Sequence, residues 1–159
     1  MWAPRAPVAL LVALSVLAAD QFHKWWMLNV FDIARNQPYP ITSFFDLVLV
    51  WNKGISYGFL TGLGPWPLIA GQAIITLFLW NWLVNQKSNF TAIFIAVIIG
   101  GALGNIADRL LHGAVVDIFY LHAFGYSWYV FNLADTAIVA GAVVLVYNSF
   151  ADLFGWHTG

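Results

Sequence analysis

The chain of 159 residues is 62% hydrophobic and only 8% charged, where a soluble domain carries about a quarter charged residues, so it has the composition of an integral membrane protein. Six basic against seven acidic residues leave no basic surface for nucleic acid, and the absence of cysteine excludes disulfides, thiol nucleophiles and cysteine-ligated metals. The length suits one compact membrane domain over residues 1–159.

A membrane-crossing helix needs about 20 mainly apolar residues. The first such run covers about residues 7–28. Its opening, MWAPRAPVALLVALSVLAAD, has the outline of a secretory signal: an arginine, an apolar stretch, then small residues. The apolar stretch continues past Asp20 into FHKWWML, which favours an uncleaved first span. From about 38 to 61 the chain is rich in aromatic and β-branched residues, with Gly54 and Gly58 as breaks. That segment, which includes TSFFDLVLVWNKGISYGFL, reads as short strands on the membrane surface. A second apolar run, about 67–84, is joined by the polar turn NQKSN to a third at about 90–111. A fourth run, about 128–148, follows a short connection. The expected fold is an all-α polytopic membrane protein, with four transmembrane helices and a small β-rich surface segment between the first and second.

Four spans put both termini on one side, and all nine tryptophans then fall near a span end or in the surface segment, as in an aromatic belt. Arg5 and Lys87 lie on the terminus side, whereas Lys24, Arg35, Lys53 and Arg109 lie on or near the other. Taken alone, that count puts the termini outside. Asn89-Phe90-Thr91 matches a glycosylation sequon, in the turn on the terminus side.

There is no glutamate, so every side-chain carboxylate is one of seven aspartates. Asp20, Asp108, Asp117, Asp135 and, at an edge, Asp152 belong to spans or their flanks, where an unpartnered ionisable group is costly and therefore a functional candidate. Asp20 and Lys24 are four apart and can pair on one helix face; a structural ion pair explains them better than catalysis. Gly100 and Gly104 have the spacing of close helix packing. Asn105, Asp108 and Arg109 follow on one broad face, where a network tying helices together competes evenly with substrate binding. Asn132 and Asp135, three apart, point the same way at the start of the fourth run. Asp117, just past the third run, is expected near Asp135 on the same side of the membrane.

Two neighbouring carboxylates cannot both ionise cheaply, so one keeps a proton and the pair supplies a general acid and a general base together. That is aspartyl protease chemistry, and it requires no cofactor or metal. G-x-S-x-G and H-E-x-x-H are both missing, and the four histidines show no metal-ligand spacing.

DQFHK (20–24), NKGISYGF (52–59), GNIADR (104–109), VVDIF (115–119) and FNLAD (131–135) together resemble, in order and spacing, the five motifs of the bacterial lipoprotein signal peptidases, or type II signal peptidases. The resemblance implies an inner-membrane aspartyl endopeptidase. It would remove signal peptides from prolipoproteins by cutting before a diacylglyceryl-modified cysteine. It implies a catalytic pair at Asp117 and Asp135, supported by Asp20, Lys24, Asn52, Gly54, Asn105, Asp108, Arg109 and Asn132. It further implies a monomer in contact with membrane lipid, inhibition by globomycin, cytoplasmic termini and a site near the periplasmic face. The orientation opposes the lysine and arginine count. Ser56-Tyr57, where the family often has Ala-Phe, and Ile118 depart from the family pattern. The alternative functions are a small proton-coupled transporter or channel, for which no inverted repeat is visible, and a structural membrane subunit whose aspartates bind helices together.

Overall fold

The computed structural model describes residues 6–54 and 64–155. The part of the surface segment beyond Gly54, with Ser56, Tyr57 and Gly58, lies outside the described residues, as do Trp2, Arg5, Trp156 and His157. The order of elements is α1 (Ala6–Asn29), the one-turn α2 (Ile33–Asn36), β1 (Tyr39–Thr42), β2 (Phe45–Asn52), α3 (Trp66–Val84), α4 (Asn89–His112), β3 (Val115–Ala123), β4 (Tyr126–Phe131) and α5 (Leu133–Leu153).

α1, α3, α4 and α5 are each long and apolar enough to cross a bilayer. Their limits follow local chemistry. Pro65 and Pro67 bracket the start of α3, where a missing N–H costs nothing. The Ser88 hydroxyl accepts from Thr91 N to cap α4, and Gly113, at φ 71°, ends it in the left-handed conformation that glycine adopts without strain. α4 is the central helix: half of its apolar stretch is buried, against 22, 11 and 17% for α1, α3 and α5. It packs on all three, around a core of Ala9, Ala13, Leu83, Ile95, Ala96 and Ile99. Small residues allow the approach. A Cβ at Gly100 would stand 2.5 Å from the Ala13 carbonyl of α1, and one at Gly101 would stand 2.5 Å from the Ala134 carbonyl of α5. Ile74, Leu77 and Phe78 of α3 and Val139 and Val143 of α5 remain exposed, facing where lipid would lie.

The four strands form one antiparallel sheet in the order β1-β2-β3-β4. Only β1 and β2 belong to the segment where strands are expected. The connection after α4 is not short: it is a second hairpin, so α5 begins at Leu133 and Trp128 lies in β4. The two-residue turn at Phe124-Gly125 has positive φ at both positions, 53° and 80°. Such turns match the right-handed twist of paired strands. A second apolar cluster, Met27, Ile33, Val116 and Ile118 with Leu47 and Leu49, fastens the sheet to the end of α1.

Candidate active site

Asp117 enters the site from the middle strand pair. It sits opposite Val50, with Asn52 opposite Val115. Between Val50 and Leu47 the register shifts, which places an irregularity in β2 beside Asp117; bulges of this kind recur next to active sites. Asn52 Nδ2 donates to Asp117 Oδ2 at 3.0 Å, and Gly54 N donates to Asn52 Oδ1 at 3.1 Å, which fixes the amide's orientation.

Asp135 enters from a helix start. Asn132 caps α5: its Oδ1 accepts from Asp135 N at 2.8 Å, and its own N–H donates to Asp135 Oδ2 at 3.3 Å. This is a reciprocal capping box with aspartate in the third helical position. The same Asn132 reaches across with Nδ2 to Asp117 Oδ1 at 2.7 Å and to Asn105 Oδ1 at 3.1 Å, while Asn105 Nδ2 donates to Asp135 Oδ1 at 2.8 Å. One chain of amides therefore joins the two carboxylates. Both face a cavity of about 800 Å³ whose walls include Asn52, Gly54, Asn105 and Arg109, with Trp128, Tyr129 and Phe131 on the β4 side.

Asp117, 1% exposed, lies outside the spans, and its pKa is raised from 3.8 to about 7. Burial is the main cause and the Asp135 charge adds to it; the hydrogen bonds from Asn52 and Asn132 and the charge of Lys24 work the other way. A carboxyl that exchanges its proton near neutrality is suited to acid–base work.

Asp20, Lys24 and Asp108 form a separate group behind the pair. Lys24 Nζ lies 2.8 Å from Asp20 Oδ2 and 2.7 Å from Asp108 Oδ2, and all three residues are buried. Asp20 Oδ1 accepts from Ala134 N at the head of α5, and Asp108 Oδ2 accepts from Val116 N beside Asp117. The group therefore holds the backbones next to both site carboxylates. Removing Lys24 would leave two buried carboxylates without their cation, at a cost of about 3–5 kcal/mol. The broad face of Asn105, Asp108 and Arg109 divides: Asn105 and Arg109 line the cavity, and Asp108 turns to α1. Arg109 Nη1 donates to Gln72 Oε1 at 2.7 Å and to Asn105 O at 3.4 Å.

Sequence reasoning passes over Gln21, Gln72 and Tyr129. Gln21 Nε2 donates to Asp108 Oδ1 at 2.8 Å, and Tyr129 meets Asn52 at 2.8 Å. The two glutamines carry a visible signal, since each is a polar side chain in an apolar span. Tyr129 stands among other aromatics and carries none.

The family described as signal peptidase (SPase) II, Peptidase_A8, matches residues 12–151. The chain belongs to the signal peptidase II family. A lipoprotein signal peptidase of Rhodopseudomonas palustris (strain TIE-1) is 46% identical over 149 residues, covering 89% of this chain and 91% of the relative. That of Methylocella silvestris is 43% identical, covering 98% of this chain and 92% of the relative. Two solved structures described as bacterial membrane enzymes, determined by the in meso method, superpose with TM-scores of 0.78 and 0.77 at 26 and 27% identity. Both cover 92% of this chain, and 90 and 94% of the respective enzymes are covered. This signal peptidase II is thus an aspartic-type enzyme and a multi-pass membrane protein. A transporter or an inert subunit no longer accounts for it.

Proposed function

We propose that Asp117 and Asp135 are the acid–base pair with which this signal peptidase II removes signal peptides from prolipoproteins, cutting before a diacylglyceryl-modified cysteine. The observation that carries the reading is that both carboxylates face one cavity at the head of α5, joined through Asn132. The pair shares one proton. The ionised aspartate takes a proton from water as the water oxygen attacks the scissile carbonyl carbon, and the protonated aspartate gives its proton to the carbonyl oxygen. Collapse of the tetrahedral adduct breaks the C–N bond, and a proton returns to the cysteine nitrogen as it leaves. Asn52, Gly54, Asn105 and Asn132 hold the carboxylates, Arg109 forms part of the cavity wall, and Asp20, Lys24 and Asp108 anchor the backbones behind them.

The acyl chains of the substrate lie in the bilayer against the exposed apolar faces of the spans. This remote binding energy positions the peptide. Globomycin competes for the same cavity. The chain works as one membrane domain and as a monomer, in the inner membrane, with its termini in the cytoplasm and the sheet at the periplasmic face.

The test is cleavage of a prolipoprotein by purified protein in detergent, with and without prior diacylglyceryl transfer. The lipidated form is expected to be cut and the unmodified form spared. Asp117→Asn and Asp135→Asn should each abolish turnover while still inserting and folding, and the double variant should be no worse than either, since the two act as a unit. Substantial turnover by either single variant would remove the pair from the mechanism.

A further inference from the structure

β4 leaves the regular ladder at one place. Tyr120 pairs with Val130 and His122 with Ser127, so Leu121 faces two residues, Trp128 and Tyr129. An extra residue of this kind re-aims the side chains beside it. Adjacent residues of a regular strand point to opposite faces, yet both Trp128 and Tyr129 line the cavity of Asp117 and Asp135. The Tyr129 hydroxyl accepts from Asn52 Nδ2 at 2.8 Å, and that same nitrogen donates to Asp117 Oδ2 at 3.0 Å. The phenol and the carboxylate stand on either side of one amide nitrogen.

The two side-chain amides that donate to Asp117 are fully committed, and Arg109 lines the same cavity with its Nε unpartnered among the described residues. A side-chain amide carries two hydrogens. Asn52 directs its pair to Asp117 and Tyr129, and Asn132 directs its pair to Asp117 and Asn105. Tyr129 only accepts in this arrangement, and its own O–H proton meets no acceptor among the described residues. The residue is 46% exposed and lines the cavity that an incoming ligand would enter. We propose that Tyr129 is a substrate-binding residue whose hydroxyl donates a hydrogen bond to a backbone carbonyl oxygen of the peptide lying beside Asp117. The bond fixes the register of the peptide against the carboxylates, and Asn52 couples that register to Asp117. The proposal rests on the reading of the cavity as the peptide site.

Tyr129→Phe deletes one oxygen and keeps the ring on an exposed edge strand, so folding should be preserved. A hydrogen bond of this kind is worth roughly tenfold in affinity. Cleavage of a lipidated precursor by Tyr129→Phe is expected to show kcat/KM lower by about tenfold with an unmoved melting midpoint. Binding of a fluorescent lipidated peptide is then measured in the Asp135→Asn background, which leaves the Asn52–Asp117 contact in place. There Tyr129→Phe should raise Kd by about tenfold. Unchanged kcat/KM and Kd would overturn the proposal. So would a loss that vanishes when Asn52→Ala is also present, because Tyr129 would then act only through Asn52. Cleavage by Asp135→Asn itself would sink the aspartate pair, leaving the kcat/KM comparison to judge Tyr129 independently.

Discussion

Asp117 shows how one residue can be held against its own stability. Its folded pKa of about 7 stands above the ordinary 3.8, with burial the larger cause and Asp135 the second. Between those values the native protein binds more proton than the unfolded chain. Stability must therefore fall as pH rises through that window and stay level above it. At about 1.4 kcal/mol per unit, the penalty at pH 8 is at most roughly 4 kcal/mol. Asp117→Asn removes the titrating group, so its melting midpoint should exceed that of the parent by several degrees at pH 8 and match it near pH 4. Melting curves at the two pH values test this; an equal gain at both would mean that charge is not the cause. Cleavage by the parent should also fall above pH 7 as the acid is lost, with the apparent value belonging to the pair. The location of this residue was legible in the sequence: a second aspartate at the depth of Asp135 is visible once the spans are drawn. Its orienting partners were legible only through motif resemblance, because Asn52 reaches Asp117 across 65 residues of chain.

At the scale of elements, the head of α5 depends on how closely α4 approaches it. Gly104 leaves the space that the Asp20 carboxylate occupies: a Cβ there would stand 2.5 Å from Asp20 Oδ2 and 3.4 Å from Ala134 Cβ. Asp20 Oδ1 in turn receives Ala134 N, one residue before Asp135. Gly104→Ala should therefore cost about 1–3 kcal/mol of stability, the usual result of overfilling a packed site, and should lower turnover by shifting α5. Thermal midpoint and turnover measured together check this. A destabilised variant with full turnover would show that α5 moves independently of Asp20. The glycine spacing was readable beforehand, because small residues four apart on an apolar helix have few other uses. The second hairpin was not. YSWYVF is uncharged and runs straight into the apolar start of α5, so hydropathy alone merges its residues from Trp128 onward with the span, while VVDIFYLHA falls in what reads as a short connection. Their turn, Phe-Gly, lacks the asparagine or aspartate that usually marks such hairpins.

At the scale of the whole molecule, the sheet, the cavity and the ends of the spans that carry them lie on one side, and the turn between α3 and α4 lies on the other. Which side faces the cytoplasm is decided by how the basic residues are used. Four of them counted against two when each was treated as free. Lys24 is buried between Asp20 and Asp108, and Arg109 is bonded to Gln72 and to the Asn105 carbonyl. Charges built into a membrane-depth site belong to its chemistry and not to the loops that set orientation. Without them, Arg35 and Lys53 face Arg5 and Lys87, and the count no longer opposes cytoplasmic termini. The absence of cysteine makes the orientation directly measurable, since one introduced thiol is the only one present. Lys87→Cys, exposed in the turn after α3, and Tyr126→Cys, 82% exposed near the hairpin tip, report on the two sides. With a membrane-impermeant maleimide on intact spheroplasts, Tyr126→Cys should be labelled at once and Lys87→Cys only after lysis. Both variants should retain cleavage of lipidated precursor, which confirms that the labelled protein is folded. The reverse pattern in active protein would turn the molecule over, placing the aspartate pair on the cytoplasmic side and out of reach of a precursor cut after export.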